Sequence, residues 1–103
     1  MSLPPQATSR LQQQAPKLAQ LTEQVLFGDV WQRNELSPRE RSLATVAALV
    51  VLGRGEQLPF HFDLAQRNGL SREELVELIT HLAFYGGWPV AASALNRLDS
   101  QEE

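Results

Sequence analysis

Residues 71–89 read SREELVELITHLAFYGGWP, and this stretch decides the fold class. Ser71 is an N-cap residue, and Glu74 three positions on completes a capping box, in which two side chains satisfy backbone N–H groups that a helix start leaves open. Leu75, Leu78, Ile79, Leu82 and Gly86 then recur at three- and four-residue spacing, the signature of one buried helical face. That spacing predicts a helix to Tyr85, stopped by Gly86-Gly87. Trp88-Pro89 opens the next helix, because proline is tolerated in a first turn. The opposite face carries Glu73, Glu77, Thr80 and His81, yet Phe84 falls among them. An aromatic on a polar face marks an interface unless another helix of the same chain covers it.

The same grammar extends toward the amino terminus. Asn68-Gly69 closes a helical segment that starts near Pro59. Ser37-Pro38-Arg39-Glu40 repeats the capping box with a proline at the first helical position, and predicts a helix to about Leu52 that ends at Gly53. A first helix runs from near Pro16 to about Phe27, with Gly28 stopping it. Residues 1–15 before it form a short helix or a loose arm, and 99–103 are a polar tail. No alternating strand pattern interrupts this series. The expectation is an all-α fold: one domain over residues 1–103, a compact bundle of about five helices. The stretches after the two capping boxes diverge, so they share helix grammar without forming a repeat.

One helix is unusually apolar. In LATVAALVVL, Leu43 to Leu52, only Thr45 is polar, so apolar side chains cover the whole circumference and the helix is expected to be buried all round. A small bundle has room for one such central helix. Together with Phe84, it argues for a homo-oligomer.

Composition excludes several classes of function. A net charge of −3 with no basic run disfavours nucleic acid, which needs clustered Lys and Arg to release counterions. No cysteine is present, which removes disulfides, thiolate metal sites and thiol redox chemistry. The apolar run is about half of what a bilayer span needs, and the first residues lack the basic-then-apolar order of a signal peptide. The expected partner is a small molecule, with no nucleic acid and no membrane, and the default location is cytoplasmic.

Two histidines are the side chains whose ordinary pKa lies near neutrality. His61 sits in RGEQLPFHF, residues 54–62, in a first turn and between two phenylalanines. Both features favour neutral imidazole, which serves as a base or a hydrogen-bond donor. The bland reading is a helix-end histidine bonded locally. His81 lies one turn after Glu77 and one turn before Tyr85, an arrangement that suits a proton donor oriented by a carboxylate; the bland reading is an exposed helical pair. Arg39, Arg41 and Arg54 would clamp an anionic substrate through bidentate guanidinium contacts, or are plain surface charge. Two histidines with no third ligand make a weak metal site. No nucleophile elbow or phosphate-cradling glycine cluster is present.

Five pieces in order, FGDVW (27–31), LSPRERSLATVAAL (36–49), LGRGEQLPFH (52–61), NGLSREELVELITHLAFYGGWP (68–89) and Ala91-Ala92, resemble the carboxymuconolactone decarboxylase family, over roughly residues 16–98. The resemblance implies an alkylhydroperoxidase D-like helical subunit that assembles as a trimer or hexamer. One branch of that superfamily carries a C-x-x-C pair with a histidine four residues after the second cysteine. On this chain those cysteines fall at Arg54 and Gln57 and the histidine at His61, so dithiol peroxidase chemistry is ruled out. The cysteine-less branch resembles the 4-carboxymuconolactone decarboxylases of aromatic catabolism, lyases that need no cofactor. It implies loss of CO2 from a small carboxylated lactone to give an enol-lactone. His61 and His81 would be the catalytic residues and Arg41 and Arg54 the substrate anchors, with Glu40, Glu77 and Tyr85 in support. The alternative is a non-catalytic oligomeric module of the same fold that binds a small acid.

Overall fold

A computed structural model describes residues 5–101, with side chains over 10–100. It contains six α-helices: α1 (Pro5–Gln14), α2 (Pro16–Leu21), α3 (Pro38–Val51), α4 (Leu58–Arg67), α5 (Arg72–Gly86) and α6 (Trp88–Gln101). No strand occurs among the described residues, and the all-α expectation holds. The sixth helix is α1, which occupies the stretch that the sequence left as short helix or loose arm. Residues 1–4 and 102–103, the extremes of the expected arm and tail, lie outside the described residues. Among the described residues no helix is long and apolar enough to cross a membrane.

By its contacts the chain divides into two compact units, Met1–Pro38 and Arg39–Glu103. In the first, α1 packs on α2, and α2 runs directly into a π-helical turn over Thr22–Phe27. Phe27 and Trp31 are both buried, with ring centroids 5.8 Å apart, and Gln32 Nε2 donates to the Phe27 carbonyl at 3.0 Å. Gly28 ends this segment at an ordinary φ of −80°. What requires glycine there is space: a Cβ would lie 2.7 Å from the Glu23 carbonyl oxygen and 2.8 Å from that of Gln24.

In the second unit the helix starts follow the sequence signals, as do the stops of α3 to α5, whereas α6 continues to Gln101, into the stretch expected as a polar tail. The Ser71 side chain accepts from the Glu74 N–H at 3.0 Å, and the Glu74 carboxylate accepts from the Ser71 N–H at 2.9 Å. This is the reciprocal box expected for α5. Arg54 N–H donates to the Leu49 carbonyl at 2.9 Å across Gly53, whose φ is +73°. Leu70 N–H reaches Ala65 in the same way across Gly69, at φ +104°. Both are Schellman closures, and the left-handed backbone they need is the reason for glycine at each. Leu75, Ile79, Leu82 and Ala83 of α5 meet Ala91, Ala94 and Leu98 of α6 and Leu58, Phe62 and Ala65 of α4 in one core.

α3 corrects an expectation. Only Ser42, Val46 and Val50 are buried, a stripe repeating every four residues, while Ala44, Ala48, Val51 and Leu52 are exposed. Within the second unit α3 is therefore a side wall, because the three other short helices there do not supply enough apolar surface to surround it. Ser42, wholly buried, accepts a hydrogen bond from Asn68 Nδ2 at 3.0 Å. That bond satisfies a polar group which would otherwise be costly to bury. Arg39 adds an ion pair to Glu74 between α3 and α5.

Candidate functional site

Every candidate residue from the sequence lies on the second unit, on α3, α4, α5 or the turn between α3 and α4. The Schellman turn at Gly53 sends the chain off α3 so that Arg54 precedes a 3-10 turn, Gly55–Gln57, which feeds directly into α4. Residues 53–57 form one wall of an open hollow of about 440 Å³, and Ser93 and Arg97 of α6 form the other. Its lining is mostly polar. Gly55 is the floor beneath the second arginine: a Cβ there would come within 3.3 Å of Arg97 Nε and of one terminal guanidinium nitrogen. Arg97 also borders the neighbouring hollow with Pro59, Asn96 and Ser100.

His61 lies in the first turn of α4, half-buried, with its ring edge-on to Phe60 at a centroid distance of 4.9 Å. Burial removes water from the imidazole and pushes its pKa below the usual 6.5, so the neutral ring is the favoured form at neutral pH. His61 does not line the Arg54 hollow.

His81 lies elsewhere on the unit. It is exposed on α5, its ring tilted against that of Tyr85 with centroids 4.9 Å apart. With Glu77 it borders a separate, open hollow of about 340 Å³ that also includes Arg39 and Glu74. Among the described residues no ion pair joins Glu77 to His81. The Glu74 carboxyl there is held below its ordinary range by its hydrogen bond from the Ser71 backbone and then by Arg39. Arg41 is half-buried and Glu40 exposed, both on α3. No group of three or more His, Cys, Asp or Glu side chains among the described residues could hold a metal ion.

The structure thus brings Arg54 together with Arg97 and Ser93, and His81 with Glu77 and Tyr85. It does not bring His61, His81 and an arginine to one hollow. Arg97 and Ser93 are the additions that sequence reading passed over. The available signal was slight: they lie four residues apart on one face of α6, and Arg97 has no acidic residue three or four positions away on either side.

Residues 16–100 match the model of the family described as "Carboxymuconolactone decarboxylase family". The chain is 40% identical over 70 residues to a 4-carboxymuconolactone decarboxylase of Acinetobacter baylyi, covering 68% of this chain and 52% of the relative. It is 33% identical over 69 residues to a nitrosuccinic acid decarboxylase of Metarhizium robertsii, covering 67% of this chain and 48% of the relative. The chain therefore spans about half the length of the curated relatives it matches.

Proposed function

Since this chain belongs to the carboxymuconolactone decarboxylase family, we propose that it is a cofactor-independent decarboxylase of 4-carboxymuconolactone or a related small carboxylated lactone. The observation that carries this reading is the 40% identity over 70 residues to an enzyme of that name, in a chain with no cysteine for the redox chemistry of the neighbouring branch. The second relative, named for nitrosuccinic acid, supports the same reaction type: a carboxylate leaves from a molecule that also carries an electron-withdrawing group.

The reaction asks little of the protein beyond placement and electrostatics. As the C–CO2 bond breaks, its electron pair passes through the ring alkene to the lactone carbonyl, whose oxygen becomes an enolate. Carbon then takes a proton. Arg54, on the rim of its polar hollow, is the proposed anchor for an anionic substrate. His61 is the proposed partner of the developing oxyanion. Held neutral by burial, its N–H donates a hydrogen bond that strengthens as negative charge grows, which is selective stabilisation of the transition state. His81, with Tyr85 beside it and Glu77 in the same hollow, is the second proposed catalytic residue, as the source of the proton. Arg41 on α3, half-buried, is the second proposed anchor, and Glu40 beside it keeps a supporting role. We also propose assembly of copies into a trimer or hexamer, supported by the exposed Phe84, Tyr85 and Trp88, and a cytoplasmic location.

The separation of the histidines from the arginine hollow favours a second reading, a small-acid-binding module without turnover. One experiment divides the two. Purified protein is supplied with 4-carboxymuconolactone, and CO2 release and remaining lactone are followed between pH 6 and 8, alongside His61→Ala and His81→Ala. The decarboxylase reading expects release that falls by about 100-fold or more in His61→Ala, the scale of a lost oxyanion donor. Bound, intact lactone with no CO2 would establish the binding module instead.

A further inference from the structure

The hollow between residues 53–57 and α6 carries an unusual charge arrangement. Arg54 and Arg97 both line it, against a single carboxylate, Glu56. Among the described residues neither arginine makes an ion pair, and neither does Glu56. The other lining groups are a hydroxyl, Ser93, an amide, Gln57, and the backbone at Gly53 and Gly55. Gly55 admits the Arg97 guanidinium to close range, at a position where any side chain would press on it. A pair of guanidinium groups with a hydroxyl between helix and turn is the donor set for one carboxylate.

Resting on the decarboxylase reading, we propose that this hollow holds the carboxylate that the substrate keeps, and that Arg97 makes the protein selective for dicarboxylic acids. The chemistry decides which of two carboxylates belongs here. A carboxylate clamped by guanidinium groups is stabilised as an anion, and that stabilisation is lost when its charge departs with CO2. An interaction stronger in the ground state than in the transition state slows the chemical step. The clamp therefore suits the carboxylate that persists through the reaction. The departing one lies outside it, where no guanidinium holds its charge.

The test combines binding with kinetics. Succinate serves as an inert dicarboxylate probe and is titrated calorimetrically into wild-type protein, Arg97→Gln, Arg97→Lys and Gly55→Leu, with inorganic phosphate as competitor and circular dichroism as the check on folding. Arg97→Gln is expected to weaken succinate by about 10-fold or more, the scale of charge-assisted hydrogen bonds. Arg97→Lys should restore part of the loss, and Gly55→Leu should reproduce it by displacing the guanidinium. With lactone as substrate, Arg97→Gln should raise KM by a similar factor and leave kcat nearly unchanged. Succinate binding that ignores Arg97→Gln, phosphate binding tighter than succinate, or a loss confined to kcat would each overturn the proposal. Arg97-dependent succinate binding in a protein that releases no CO2 would keep the dicarboxylate site and sink the decarboxylase reading. Turnover with an Arg97-independent KM would do the reverse.

Discussion

At the scale of single residues, His61 shows how far a sequence pattern reaches. Its position after Pro59 and between Phe60 and Phe62 predicted an imidazole held neutral, and the half-buried ring on α4 has its pKa lowered by burial. The sign of the consequence follows from linkage. Above pH 6.5 the ring is neutral in both the folded and unfolded chain, so its full contribution to stability is present. As pH falls below 6.5 the unfolded chain takes up a proton that the folded protein resists, and stability drops until the pH passes the depressed native value. Denaturant unfolding of wild type should therefore show lower stability at pH 5.5 than at pH 7.5, and His61→Gln should show a smaller difference. Equal pH dependence in the two proteins would remove burial as the cause. Glu74, whose pKa is lowered from 4.5, loses its contribution only at more acid pH, so the two effects separate.

At the scale of elements, α5 was the most legible part of the chain because its information is local. The capping box, the apolar stripe and the terminating glycines all lie within residues 71–87, and the helix spans Arg72–Gly86. Ser71→Ala removes the acceptor for the Glu74 N–H and is expected to cost about 1 kcal/mol in denaturant unfolding; no loss would mean that water replaces the cap without penalty. α3 was misread for a reason that is equally physical. Composition says how apolar a helix is, but the number of neighbours available to cover it is a property of the whole chain. Val46 and Val50 found cover and Leu52, at 67% exposure, did not.

At the scale of the molecule, the exposed apolar groups form a pattern. Phe84 is 73% exposed and stands edge-on to Trp88, itself 65% exposed, with ring centroids 5.2 Å apart. Beneath them an apolar groove of about 290 Å³ runs between α5 and α6. Surface of this kind on a small protein is most often covered by a partner. Light scattering is expected to give a multiple of the 11.5 kDa subunit mass, and Phe84→Glu to lower it. A wild-type monomer would refute the assembly proposed above.

The sequence by itself determined the helical class, the starts of α3 to α6, the stops of α3 to α5, and the lack of any cysteine in this chain. Each depends on caps, glycines, apolar spacing or composition, which are properties of neighbours along the chain. It also marked His61 as a perturbed histidine, because Pro59 and the two phenylalanines adjoin it. Only the tertiary structure decided that Arg54 shares its hollow with Arg97 and Ser93, more than thirty-five residues away in sequence, and that His81 opens onto a different one. Which side chains face one another across a hollow depends on how helices pack, and the spacing within either helix carries no record of it.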